Sequence, residues 1–264
     1  MLQRTTRKFA LTEAGQAFYE RGVKILQDIR DADAMAKEFQ TTSKGILRIN
    51  TSPTLYRDVS NIVARYAKDY PETTFDLTIT NQMGDLLDDK TDLAIRDDSV
   101  TESSLIVRRL GYAEWTVCAS PSHVERHGFP LHPTELSRHN CLVYVRGRHF
   151  DAWRFAHKGG IQSVNVCGCL LSNDPHVLRT AALLGQGLIL LPNAMLSEYL
   201  QAGRLVRVMN DYSPERAVIR AVYLSRQQLP LKVRNFLDFA AKEIAASQQR
   251  ERLKCLINSD ATAA

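Results

Sequence analysis

Apolar residues fall at two different periods along this chain. From Glu13 to about Gln40 the pattern is helical: Phe18, Ile25, Ala32 and Phe39 recur every seven residues, and Gly22, Ile29 and Ala36 lie four residues after the first three. This seam of paired apolar positions runs without a proline, which predicts a single helix roughly 40 Å long. Thr12 stands directly before it, where an N-cap belongs. A long helix with a narrow apolar stripe is marginal alone and calls for a partner. The seam therefore predicts a connector that pairs with a second copy through Phe18, Ile25, Ile29, Ala32 and Phe39. Packing within one chain is the competing reading.

After a short polar linker, Thr41 to Gly45, the pattern changes to alternating strands and helices. Leu47 and Ile49 alternate with Arg48 and Asn50 in a strand over 46–51, and Ser52-Pro53-Thr54 forms a loop. Val59, Ile62, Val63 and Tyr66 mark a helix that stops before Pro71. Phe75, Leu77 and Ile79 alternate as a second strand. Leu86 and Leu87 indicate a short helix, and Leu93-Ala94-Ile95 a third strand. Strand, helix, strand, helix, strand reads as a parallel, right-handed unit. A second such unit follows, with strands over 115–119, 142–145, 163–166 and 188–191, a helix over 176–184 and another over 195–201. A strand over 217–224 and an amphipathic helix over 233–246 complete the pattern. The tail from Ser247 is polar and weakly patterned, and is expected to be frayed. No solenoid repeat or low-complexity tract is evident.

The 264 residues suffice for one large or two modest domains, and 44% hydrophobic with 24% charged residues is ordinary globular composition. The net charge of +5 permits an anionic partner without demanding one. Its distribution is more telling: Arg4, Arg7 and Lys8 crowd the first residues, while Asp85, Asp88, Asp89 and Asp92 cluster later. That acidic group reads first as solvated surface. Five cysteines at irregular spacing argue against a disulfide framework and fit a reducing compartment. With no apolar leader at the N-terminus and no apolar run of membrane-spanning length, the expected location is the cytoplasm.

The opening run Gln3-Arg4-Thr5-Thr6-Arg7-Lys8-Phe9-Ala10-Leu11-Thr12-Glu13-Ala14-Gly15 resembles the end of the DNA-binding domain of LysR-type transcription regulators, where the wing leads into the linker helix. Further matches follow in family order. Gly45-x-Leu47-Arg48-Ile49 is similar to the first strand of the effector domain, and Asp92-Leu93-Ala94-Ile95-Arg96 to its third. Ser104-Leu105 with Leu110-Gly111 matches the approach to the hinge, and Ala119-Ser120-Pro121 the entry to the second subdomain. His139-Asn140-Cys141-Leu142, Gly185-x-Gly187-x-Ile189-x-Leu191-Pro192 and Leu200-x-x-Gly203-x-Leu205-Val206 complete the set. One departure stands out: the helices of the helix-turn-helix that precede the wing in this family, including the recognition helix that reads base edges, are not within these residues.

The resemblance implies an α/β fold: a two-lobed, type 2 periplasmic-binding-protein-like effector domain, preceded by a long linker helix and a remnant of a winged helix-turn-helix. The expected boundaries are 1–12 for the wing, 13–44 for the linker and dimerisation helix, 45–117 with 222–250 for the first subdomain, 118–221 for the second, and 251–264 for the tail. The lobes are expected to join near Val117 and Val222.

A ligand in such a fold belongs in the crevice at the carboxyl ends of the strands, where loops and helix N-termini present N–H groups. This favours a small anionic or polar effector. Ser52 and Thr54, flanking Pro53, are placed to donate hydrogen bonds, and Thr80, Asn81 and Gln82 follow the second strand in the same way. Arg96, at the end of the third strand, could pair a carboxylate bidentately. Asn173, Asp174 and His176 lie at a strand-to-helix turn of the other lobe. Each also reads as an ordinary cap or turn residue. In the wing, Arg4, Thr5, Thr6, Arg7 and Lys8 suit phosphate oxygens; without a recognition helix, promoter DNA is expected to be a partner of the full-length protein and bound weakly or not at all by this chain.

No cofactor, metal or membrane partner is expected. His123 and His127 are spaced four apart, but His123-Val124-Glu125-Arg126-His127 is not the zinc-protease pattern, and Cys167-Gly168-Cys169 reads as ordinary buried thiols. No nucleophile elbow, P-loop or dinucleotide fingerprint occurs. A non-enzymatic regulator, dimeric or tetrameric and governed by a small molecule, is the leading reading. A solute-binding protein of the same fold is the alternative, opposed by the missing leader and the heptad helix.

Overall fold

Thr12 caps the long helix as its position predicts. Its Oγ1 accepts from the Gly15 N–H at 3.1 Å and its carbonyl from the Gln16 N–H at 2.7 Å. The computed structural model describes all residues except 1, 6–7, 42, 83–90, 99–104, 146–151, 158–159, 225–228 and 263–264, and the side chains of 1–11, 32–42, 157 and 251–264 are also outside it. Ahead of the helix, β1 (Leu2–Thr5) and β2 (Lys8–Leu11) pair antiparallel with Leu2 opposite Leu11, a hairpin where the wing was expected. Thr6 and Arg7 lie outside the described residues; Arg4, Thr5 and Lys8 are located on the two strands by their backbone alone.

Helix α1 (Glu13–Thr41) carries its apolar residues into solvent: Phe18 is 63% exposed, Ile25 53% and Ile29 58%. Tyr19, Val23 and Leu26 are also exposed and widen the seam into a stripe. The side chains of Ala32 and Phe39 are outside the described set. Over its described length, this face of α1 has no cover within the chain.

The first lobe is a five-stranded sheet in the order β4-β3-β5-β15-β6. β3 (Gly45–Thr51) lies parallel to β4 (Thr73–Ile79) on one side and to β5 (Leu93–Arg96) on the other, and α2 (Tyr56–Asp69) is the crossover from β3 to β4. This is the parallel unit read from the apolar periods; the helix expected at Leu86–Leu87 lies outside the described residues. β6 (Leu105–Ala113) and β15 (Ala217–Leu224) close the sheet as an antiparallel pair. Helix α6 (Leu231–Thr262) packs Val233, Phe236, Leu237, Ala240 and Ile244, spaced three and four apart, against Leu47, Ile49, Tyr66 and Ile95.

The second lobe holds a sheet in the order β11-β8-β12-β7-β13 and a small one in the order β10-β9-β14. Its strands are β7 (Trp115–Ala119), β8 (Cys141–Tyr144), β9 (Trp153–His157), β10 (Gly160–Val164), β11 (Leu171–Ser172), β12 (Leu188–Pro192), β13 (Val206–Arg207) and β14 (Ser213–Pro214). Its helices are α3 (Pro121–His127), α4 (Pro175–Leu183) and α5 (Asn193–Gln201), with a 3₁₀ turn at Pro133–Arg138. The main sheet is buried on both faces. Val117, Cys141 and Leu188 join one cluster, while their neighbours Cys118, Leu142 and Ile189 join the other.

Several expectations need correction. The chain leaves the first sheet at Ala113 and enters the second at Trp115, so the crossing falls at Glu114 rather than near Val117. It returns between Pro214 and Ala217 rather than near Val222, because β15 pairs along its whole length with β6. The strand placed at 163–166 runs instead over Gly160–Val164, fixed by its antiparallel pairing with β9. The tail is helical through Thr262, since no glycine or proline interrupts the chain after Pro230. Among the described residues no helix is long and apolar enough to cross a membrane.

Candidate effector cleft between two lobes

The candidate crevice is placed at the carboxyl ends of the parallel strands, where this topology puts ligands. Its rim is drawn together by three contacts from lobe to lobe. Asn81 Nδ2 donates to the Tyr144 hydroxyl at 3.2 Å, the Tyr56 and His176 rings stand 4.8 Å apart, and Arg57 forms an ion pair with Glu198. Tyr56 opens α2, His176 lies in the first turn of α4 and Tyr144 ends β8, so the first two contacts join element ends of the two lobes.

Ser52 and Thr54 sit at the floor, in the turn between β3 and α2, and are 2% and 1% exposed. Their partner is one that sequence reasoning missed. Ser52 Oγ donates to Asp97 Oδ1 at 2.9 Å and Thr54 Oγ1 to Asp97 Oδ2 at 2.7 Å. Asp97 directly follows β5, the central neighbour of β3, so the pairing of Thr51 with Ile95 delivers its carboxylate to the turn. Pro53 is half-buried between the two hydroxyl residues.

Arg96 is fully buried and faces backbone rather than open space. Nη1 donates to the Thr80 carbonyl at 2.6 Å and Nη2 to the Gln82 carbonyl at 2.5 Å, while Nε has no partner among the described residues. Burial pulls its pKa below the ordinary guanidinium value, opposed by Asp98 and then Asp97. The guanidinium thus clamps the loop after β4, which Thr80 also closes by accepting from the Gln82 N–H at 3.1 Å. That clamp presents Asn81 to Tyr144.

On the second lobe, Asp174 caps α4 by accepting the His176 N–H at 2.8 Å, and Asn173 lies exposed on the turn before it. His176 Nδ1 lies 2.9 Å from Arg179 Nη2. A guanidinium only donates, so Nδ1 accepts and the ring proton sits on Nε2. Burial, then the Arg179 charge, lowers the His176 pKa against the opposing pull of Asp174, which favours the neutral ring. Arg179 is itself held by the Met195 carbonyl at 3.3 Å and by the face of Tyr199, 4.8 Å from its centroid.

Of the sequence-predicted residues, Ser52, Pro53, Thr54, Thr80, Asn81 and Arg96 come together in the first lobe, and Asn173 and His176 share one turn of the second. Asp97, Tyr56, Tyr144 and Arg179 were not singled out. Asp97 is signalled by a second acidic residue where β5 ends, and the tyrosines by aromatic residues at element termini. A separate shallow groove lies at the hinge, lined by Tyr112, Glu114, Asn193, Ile244 and Gln248 among others. There the Glu114 carbonyl accepts from the Asn193 N–H at 2.8 Å and its carboxylate lies 3.5 Å from Arg216.

Away from the cleft, Cys118 and Cys141 are buried free thiols whose pKa values burial pushes up to about 12; Cys167 and Cys169 are free and exposed. The exposure of these last two departs from the buried thiols expected of the Cys-x-Cys run. No group of three or more histidine, cysteine or acidic side chains among the described residues is arranged to hold a metal ion.

The LysR substrate binding domain matches residues 40–245. The chain is 31% identical to an HTH-type transcriptional regulator of Xanthomonas campestris pv. campestris, over 90% of this chain and 71% of that protein. It is 33% identical to the HTH-type transcriptional regulator DmlR of Escherichia coli, over 93% and 80% respectively. Among solved structures, the full-length Vibrio cholerae virulence activator AphB superposes with a TM-score of 0.67 at 29% identity, over 91% of this chain and 82% of that one. CrgA of Neisseria meningitidis, a LysR-type regulator, gives 0.67 at 26% identity, over 92% and 83%.

Proposed function

The chain belongs to the LysR family of transcriptional regulators, and from that membership we propose that its two lobes sense a small polar effector in the cleft while α1 pairs protomers. The observation that carries this reading is the convergence of polar and aromatic groups from both lobes on one crevice. Asn81 meets Tyr144 and Tyr56 meets His176 across it, above the buried Ser52–Thr54–Asp97 floor. A ligand seated there touches both lobes at once, so its binding energy acts on the angle between them about the hinge at Glu114 and residues 215–216. Through α1 that change of angle reaches a partner protomer and, in the full-length regulator, the geometry of promoter DNA binding. The wing hairpin supports a subsidiary grip on phosphates. The role is regulatory and the setting cytoplasmic.

The test is a thermal-shift screen of small polar organic compounds, followed by hydrogen–deuterium exchange with the compound that stabilises most. The expected result is slowed exchange in 51–58 and 80–82 of the first lobe together with 172–178 of the second. Protection confined to one lobe would refute a cleft-bound effector.

A further inference from the structure

We propose that Asp97 is a charge gate built into the cleft. Its carboxylate occupies the hydroxyl seat of Ser52 and Thr54, so the effector presents a hydrogen-bond donor or a cationic group to this floor and a carboxylate is turned away. The proposal rests on the reading of the crevice as the effector site and narrows the class of molecule it takes.

A hydroxyl has one proton to give. Ser52 directs its proton at Oδ1 and Thr54 at Oδ2, at 2.9 and 2.7 Å, so the 3.1 Å contact between the two hydroxyl oxygens has none left for it. All three side chains are buried, with Asp97 5% exposed. An incoming carboxylate meets two oxygens that can only accept and an acid group of its own sign in a poorly screened place. Arg96 gives an incoming carboxylate no two-pronged grip, because both Nη atoms are committed to the Thr80 and Gln82 carbonyls and its charge is already shared with Asp98 and Asp97. Its remaining Nε–H cannot by itself make the two-pronged grip that a guanidinium gives a carboxylate. On the rim, Asn81, Tyr144 and the neutral His176 donate or accept without adding positive charge, and the charge of Arg57 is met by Glu198. An alcohol or amine finds acceptors on this floor, whereas a carboxylate finds its seat taken.

The test compares wild type, Asp97→Gly and Asp97→Ala by thermal unfolding, with sodium acetate as the carboxylate probe and sodium chloride at equal ionic strength as the control. Asp97→Gly leaves a carboxylate-sized space facing two hydroxyls. Acetate is expected to raise its midpoint saturably, while wild type responds to acetate no more than to chloride. Ser52→Ala added to Asp97→Gly should weaken that response at least tenfold. If Asp97→Gly does not fold, Asp97→Ala, which also empties the seat, serves, with acetate binding appearing where wild type shows none. Wild type that binds acetate as tightly as either variant, or variants that fold and remain blind to acetate, would overturn the gate. The crevice reading is judged separately. If the best screen ligand of wild type is a carboxylate whose binding still depends on His176, the gate falls and the cleft stands; if its binding is indifferent to His176→Ala and Asn81→Ala, the cleft itself fails.

Discussion

Arg96 carries its permanent charge at 0% exposure and uses it on two backbone carbonyls, so it acts as a structural clamp beneath the rim. Arg96→Met strips both carbonyls of their donor inside the protein. It is expected to lower stability by about 2–4 kcal/mol, read from the urea midpoint at unchanged slope. Lysine should not rescue it, because one ammonium does not span both acceptors. Histidines govern a second response. The rings of His123 and His139 stand 6.3 Å apart and that of His127 4.6 Å from His123. Burial holds the pKa values of His123 and His139 below 6.5, with His127 adding to the effect. The unfolded chain therefore takes up protons near pH 6.5 that the folded one refuses, so stability is full above about pH 7 and falls as pH drops through 6.5. His139→Gln, at a ring whose Nδ1 has no partner among the described residues, should flatten that fall in urea titrations between about pH 8 and 5.5. Little of this was legible beforehand. Ser52 and Thr54 announce themselves by bracketing a proline after a strand. Asp97 is invisible as their partner because the strand pairing that joins them spans more than forty positions.

Elements with one dominant period were plain in the sequence, and those with mixed burial were not. β12 was readable from Leu188-Ile189-Leu190-Leu191 closed by Pro192, buried on both faces. β6 was not, because Arg108 and Arg109 interrupt its apolar run and only Leu105, Leu110 and Ala113 are buried. β9 pairs with β10 and β14 in a small sheet of its own, outside the strand-helix alternation used to read the chain. The Gly185-x-Gly187 turn is understood through its backbone. Gly185 ends α4 at φ +80°, and a Cβ at Gly187 would run into the Asn140 carbonyl that accepts the Leu188 N–H. Gly187→Ala is expected to destabilise by about 1–3 kcal/mol, read from thermal unfolding. For α1, exposed Phe18, Ile25 and Ile29 predict that Ile25→Asp with Ile29→Asp converts an oligomer to a monomer in light scattering, leaving the unfolding of the lobes nearly unchanged.

The two lobes, each with its own core, meet through a hinge of a few residues and, among the described residues, through rim contacts such as Asn81–Tyr144, Tyr56–His176 and Arg57–Glu198. Such an arrangement gives a ligand leverage, because the interface between the lobes is small beside the cores that hold each lobe rigid. The fold class was legible because parallel strands separated by helices admit few topologies. The hinge position was not, because Glu114 and Arg216 lie at the ends of strands whose length only pairing defines. The cleft as effector site is tested most directly by calorimetric titration of the best screen ligand into wild type, Asn81→Ala and His176→Ala. The account predicts one ligand per protomer and an affinity at least tenfold weaker in each variant, about 1.4 kcal/mol or more. Wild-type affinity retained in both variants would contradict it.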